Sequence, residues 1–103
     1  MGIDVRLENE RGEALKWASG PLPTSLRWDK LPFYDSSEFP LAGGIDPYGD
    51  TVFNRVQAPQ LMREWDVLIS IIADADRKIM DEVARLIEEC RDGVHLYIRF
   101  VGD

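Results

Sequence analysis

Apolar and polar residues alternate from the start of the chain, with Ile3, Val5 and Leu7 interleaved with Asp4, Arg6 and Glu8. A period of two sends successive side chains to opposite faces and predicts a strand with one buried face. Asn9, Glu10, Arg11 and Gly12 follow as turn residues, Gly12 being able to take a positive φ, and Leu15 and Trp17 then alternate with Ala14, Lys16 and Ala18. The expectation is an N-terminal β-hairpin with Trp17 in the core. From residue 19 to about 58 the periodicity is lost, and prolines at 21, 23, 32, 40 and 47 remove backbone donors and stop helix propagation. This stretch reads as one long connection rich in proline and aromatic residues, with room for a short helix or strand inside it, and its apolar side chains are expected to lie on the core or on a partner. Trp28 is the tryptophan expected to be exposed. Long connections in small domains often carry function, so binding residues are sought here first.

Helical spacing takes over at Pro59, a residue suited to the first turn of a helix. Leu61, Met62, Trp65, Leu68, Ile69 and Ile72 recur at intervals of three and four and predict one amphipathic helix. Asp74 and Asp76 offer capping oxygens to a second, whose stripe is Ile79, Met80, Val83, Leu86, Ile87 and Cys90, with Gly93 just past its end. Val94, Leu96, Ile98 and Phe100 then alternate with His95, Tyr97, Arg99 and Val101. Because the second face of this strand also carries Tyr97 and Val101, it is expected in mid-sheet, beside the first strand. The prediction is a single α+β domain over residues 1–103. It comprises the hairpin, the long loop, two helices packed on one sheet face, and a C-terminal strand completing a three-stranded, mainly antiparallel sheet.

Composition narrows the function classes. Nineteen acidic residues against twelve basic ones give a net charge of −7, and the basic residues are scattered, which disfavours binding to a nucleic-acid backbone. One cysteine, Cys90, rules out an internal disulfide and a multi-cysteine zinc site. No apolar run approaches the ~20 residues of a membrane span, and Met1-Gly2-Ile3-Asp4 does not open a leader, so no membrane association and a cytoplasmic location are expected.

The candidate chemistry concentrates in Asp46-Pro47-Tyr48-Gly49-Asp50-Thr51-Val52-Phe53-Asn54-Arg55. Asp46 and Asp50 suit turn capping. Alternatively they converge with Tyr48, Asn54 and Arg55 on a polar pocket. His95 is the sole histidine, so any triad must use it, but Cys90 sits near a helix C-terminus, where the dipole opposes a thiolate. No catalytic residue, metal set or cofactor is assigned. The Asp46–Arg55 segment and the closing His95-Leu96-Tyr97-Ile98-Arg99-Phe100-Val101-Gly102-Asp103 resemble a group of small uncharacterised bacterial proteins, which share a DPYGDTVFNR-like segment and a strand ending in Phe-x-Gly-Asp. That resemblance implies no activity.

The sequence therefore favours a small acidic, non-catalytic protein-interaction module, immunity- or antitoxin-like, over an enzyme. Its expected partner is another protein with a basic surface, and self-association as a homodimer is compatible with this. The alternative is a protein binding a small molecule or metal, or a small enzyme, with its pocket at Asp46, Tyr48, Asp50, Asn54 and Arg55. Trp28 completes the candidate binding set.

Overall fold

The computed structural model describes residues 2–26 and 37–102. Strands β1 (Asp4–Asn9) and β2 (Ala14–Trp17) form the expected hairpin, with Gly12 in its turn at φ 79°. Strand β3 (Asp50–Asn54) follows, then helices α1 (Ala58–Ile71) and α2 (Arg77–Asp92), and last β4 (Leu96–Val101). The α+β class and the two helices are as predicted, but among the described residues the sheet has four strands in the order β2-β1-β4-β3, every adjacent pair antiparallel. The added strand, β3, lies inside the segment expected to be one long loop. Its inward side carries only Thr51 and Phe53, too few residues to stand out among Pro47, Gly49 and the turn after Asn54. β4 pairs with β1 on one side and β3 on the other, so it is the central strand its pattern implied.

Both helices cover one face of the sheet. From the strands, Val5, Leu7, Phe53, Ile98 and Phe100 point into this layer, and from the helices Leu61, Trp65, Leu68, Met80, Val83, Ile87 and Cys90 meet them, all buried. Burying each large side chain contributes about 2 kcal/mol. The Trp65 ring lies 5.8 Å from Phe100, which in turn meets Phe53 edge-on at 5.8 Å. The indole N–H of Trp65 donates to the Met80 carbonyl at 3.0 Å, tying α1 to α2 while satisfying its own buried donor. Leu22, Leu26, Phe39 and Ile45 of the connection are buried in this core, as expected of its apolar residues.

The segment after Phe39 is fastened by a buried charge. Glu64 of α1, 2% exposed, accepts the backbone N–H groups of Leu41 and Ala42 at 3.0 and 2.8 Å and the side-chain amide of Gln60 at 3.0 Å. It holds the short 3₁₀ turn Ala42–Gly44 against α1.

Three local expectations are corrected. Trp17 is half exposed, not core, because the register places Lys16 opposite Leu7 and Trp17 opposite Arg6, on the face away from the helices. Asp76 occupies the N-cap position of α2 with near-helical backbone angles and makes no side-chain capping bond there. Gly93 ends α2 with an extended backbone (φ −91°, ψ 179°), and His95 is the residue that takes a left-handed φ of 56°. Gly93 is needed for space instead, since a Cβ there would run into Leu96 and the Glu89 carbonyl.

Candidate functional site

The Asp46–Arg55 residues are engaged in different ways. Asp46 accepts the Tyr48 backbone N–H at 2.8 Å, and its own N–H donates to the Thr51 hydroxyl at 3.0 Å, closing the turn that leads into β3. Gly102 closes the same turn from the other side. Its N–H donates to the Gly49 carbonyl at 2.8 Å, and a Cβ on it would come within 2.6 Å of the Asp46 and Pro47 backbone. Asn54 and Gln57 make a reciprocal capping pair: the Gln57 N–H donates to the Asn54 side chain at 3.0 Å, and the Asn54 N–H to the Gln57 side chain at 2.9 Å. Tyr48 and Arg55 are exposed. Asp50 alone reaches a charged partner, Arg99, at 2.9 Å. Trp28 lies outside the described residues.

Asp50 belongs to a larger arrangement on the sheet face that the helices leave uncovered. Strand alternation puts Arg6 and Glu8 of β1, Tyr97 and Arg99 of β4, Asp50 and Val52 of β3, and Trp17 of β2 on this face. Arg6 and Arg99 are directly opposite one another across β1 and β4, a pairing that repels. Glu8, one step along the same face, cancels that repulsion. Its carboxylate takes Arg6 at 3.0 Å and two nitrogens of Arg99 at 3.0 Å, and the residue is 2% exposed. Asp50 holds Arg99 from the opposite diagonal. Hydrogen bonding from Glu8, reinforced by Asp50, raises the pKa of the Arg99 guanidinium beyond its usual value. Arg6 in turn lies 5.2 Å from the ring centre of Trp17, its cross-strand neighbour, in cation–π contact.

The result is a ladder across all four strands: Trp17, Arg6, Glu8, Arg99, Asp50. Every charged member has an opposite charge within reach, so the side chains are fixed in place while the Trp17 ring and Val52 remain 51% and 40% exposed. The ladder has charge and aromatic surface but no unpaired base, nucleophile or acid poised for chemistry. Among the described residues no group of three or more His, Cys, Asp or Glu side chains could hold a metal ion. Cys90 is buried, donates to the Leu96 carbonyl at 3.4 Å, and has its thiol pKa pushed up to about 11 by burial. His95 is exposed beside Glu10, 3.6 Å away, and apart from Cys90 in role and environment.

Of the residues singled out from the sequence, the ladder includes Asp50 alone. Arg6 and Glu8 read there as the polar side of the first strand and Arg99 as part of the second face of the last, and the available signal was that the first strand carries charges of both signs on that side while the strand beside it carries an arginine. No helix is long and apolar enough to cross a membrane among the described residues. No protein-family model, curated protein or solved structure matches this chain.

Proposed function

We propose that the protein is a non-catalytic interaction module that binds another protein through the uncovered face of its sheet. The observation that supports this most is the Trp17–Arg6–Glu8–Arg99–Asp50 ladder. It holds two arginines and a half-exposed tryptophan rigidly on a sheet face that no described element covers. Tryptophan and arginine dominate binding hot spots, and side chains already fixed lose little freedom on docking. The arginines are neutralised internally, and the molecule as a whole carries −7, so the partner favoured is a protein with a basic surface, as a nuclease toxin would present to an immunity protein. The polar pocket at Asp46–Arg55 has less support, because Asp46 and Asn54 are occupied in turn and helix capping.

The test is capture from lysate of the source cell with the wild type and the Trp17→Ala and Tyr97→Ala variants, each verified as folded. A basic protein retained by wild type at low salt, weakened at high salt, and lost with Trp17→Ala supports the proposal. Retention unaffected by either substitution, or no basic protein retained by the wild type, overturns it.

A further inference from the structure

The two edges of the sheet are built differently. β2 is four residues long, carries Lys16, and departs from regular register between Leu7 and Glu8 of its neighbour, all devices that blunt an edge. β3 has none of them. It is five residues long, contains no lysine or proline, and pairs with β4 in unbroken register from Asp50 opposite Val101 to Asn54 opposite Tyr97. Among the described residues β4 is the only strand beside it.

The hydrogen bonds at its two ends fix which backbone groups face outward. The Gly102 N–H donates to the Gly49 carbonyl, so residues 49, 51 and 53 turn their backbone toward β4 and residues 50, 52 and 54 turn theirs away. The third of these is already satisfied, since the Asn54 N–H donates to Gln57. Asp50 and Val52 are left, two residues apart, each offering an N–H and a C=O at the edge.

We infer that this edge pairs with the same edge of a second copy of the chain, antiparallel and centred on Thr51. In that register Asp50 of each copy is opposite Val52 of the other. Every outward N–H and C=O of both residues is then used, in four hydrogen bonds, and the Asn54–Gln57 pair stays intact. The charges also fit, because Asp50 meets Val52 rather than a second Asp50, and its carboxylate remains on Arg99. A two-fold axis through Thr51 joins the two sheets into one of eight strands, with both uncovered faces on the same side. The seam is a single strand pair, so the dimer is weak and depends on concentration. This inference stands apart from the function proposed for the uncovered face.

Sedimentation from low to high micromolar protein, together with amide exchange, tests it. The wild type is expected to move from the mass of one chain toward that of two, with exchange of the Val52 amide slowing over the same range. Val52→Lys, a substitution at an exposed edge position, should remain monomeric throughout with an unchanged circular dichroism spectrum. Trp17→Ala, on the other edge, should dimerise as the wild type does. A monomer at all concentrations, a dimer that persists in Val52→Lys, a dimer lost in Trp17→Ala, or a dimer that leaves Val52 exchange unchanged overturns the inference.

Discussion

Arg99 reaches back ninety-one positions to Glu8, its Nε lying 3.0 Å from both carboxylate oxygens. The contact neutralises a carboxylate that the sheet has almost removed from water, and the same carboxylate also screens Arg99 from Arg6 directly opposite. Truncating Glu8 therefore does two kinds of damage: it strips Arg6 of its acidic partner and leaves Arg99 with Asp50 alone, and it restores the repulsion between the two arginines. Glu8→Ala is expected to lower stability by about 2 kcal/mol, less than for a fully buried pair because the arginines are partly solvated. Urea unfolding of Glu8→Ala, Arg99→Ala and the double variant checks this, the double costing clearly less than the sum of the singles.

Glu64 serves a different purpose, since its partners are backbone N–H groups and an amide rather than cations. Glu64→Ala leaves the Leu41 and Ala42 donors without an acceptor and frees the turn that carries Phe39 and Ile45 into the core. A loss of about 2–3 kcal/mol is expected, with Glu64→Gln intermediate because its carbonyl still accepts. Amide exchange at Leu41 and Ala42 should rise in both variants, more in the alanine one.

The acid side of the stability profile should feel Glu82. Its carboxylate accepts both the hydroxyl and the backbone N–H of Ser19, which together hold its pKa below the ordinary value. A carboxyl depressed in the folded state stabilises fully above its unfolded pKa and loses that contribution as pH falls through the folded one. Ser19→Ala removes the first of these bonds, so the Glu82 midpoint in an NMR titration should move up and stability should become less steep in acid.

Cys90 gives the opposite slope. Burial keeps its thiol protonated to about pH 11, against an ordinary value of 9.0. The folded state holds this proton more tightly than the unfolded chain, so the contribution is complete below pH 9.0 and is lost as pH climbs toward about 11. An Ellman-type reagent at pH 8 should label the native protein only as fast as it opens, and labelling should accelerate sharply in denaturant.

Strands and helices whose apolar residues face a thick core were legible from the chain. Val5, Leu7, Ile98 and Phe100 alternate cleanly, and Leu61, Trp65 and Leu68 keep helical spacing, because each must bury a full stripe. β3 was hidden by its position at an edge, where only Phe53 is needed inward. Trp17 was misplaced because Leu15 and Trp17 mimic a buried alternation, whereas the helices cover the opposite side of that strand. The ladder was invisible for a further reason: Glu8, Asp50 and Arg99 come from three strands, and no local spacing encodes a neutralisation that exists only once the register is set.

The central seam of the sheet joins residues 4–9 to residues 96–101. The α1–α2 pair and the β1–β2 hairpin are contacts between neighbours in sequence and can form early. The β1–β4 seam must instead close a loop of nearly the whole chain before any of its hydrogen bonds form. Folding is thus expected to wait on β4: until it arrives the inner edge of β1 keeps its backbone N–H and C=O groups unpaired, and that interval is when the chain is most open to chaperones and to aggregation.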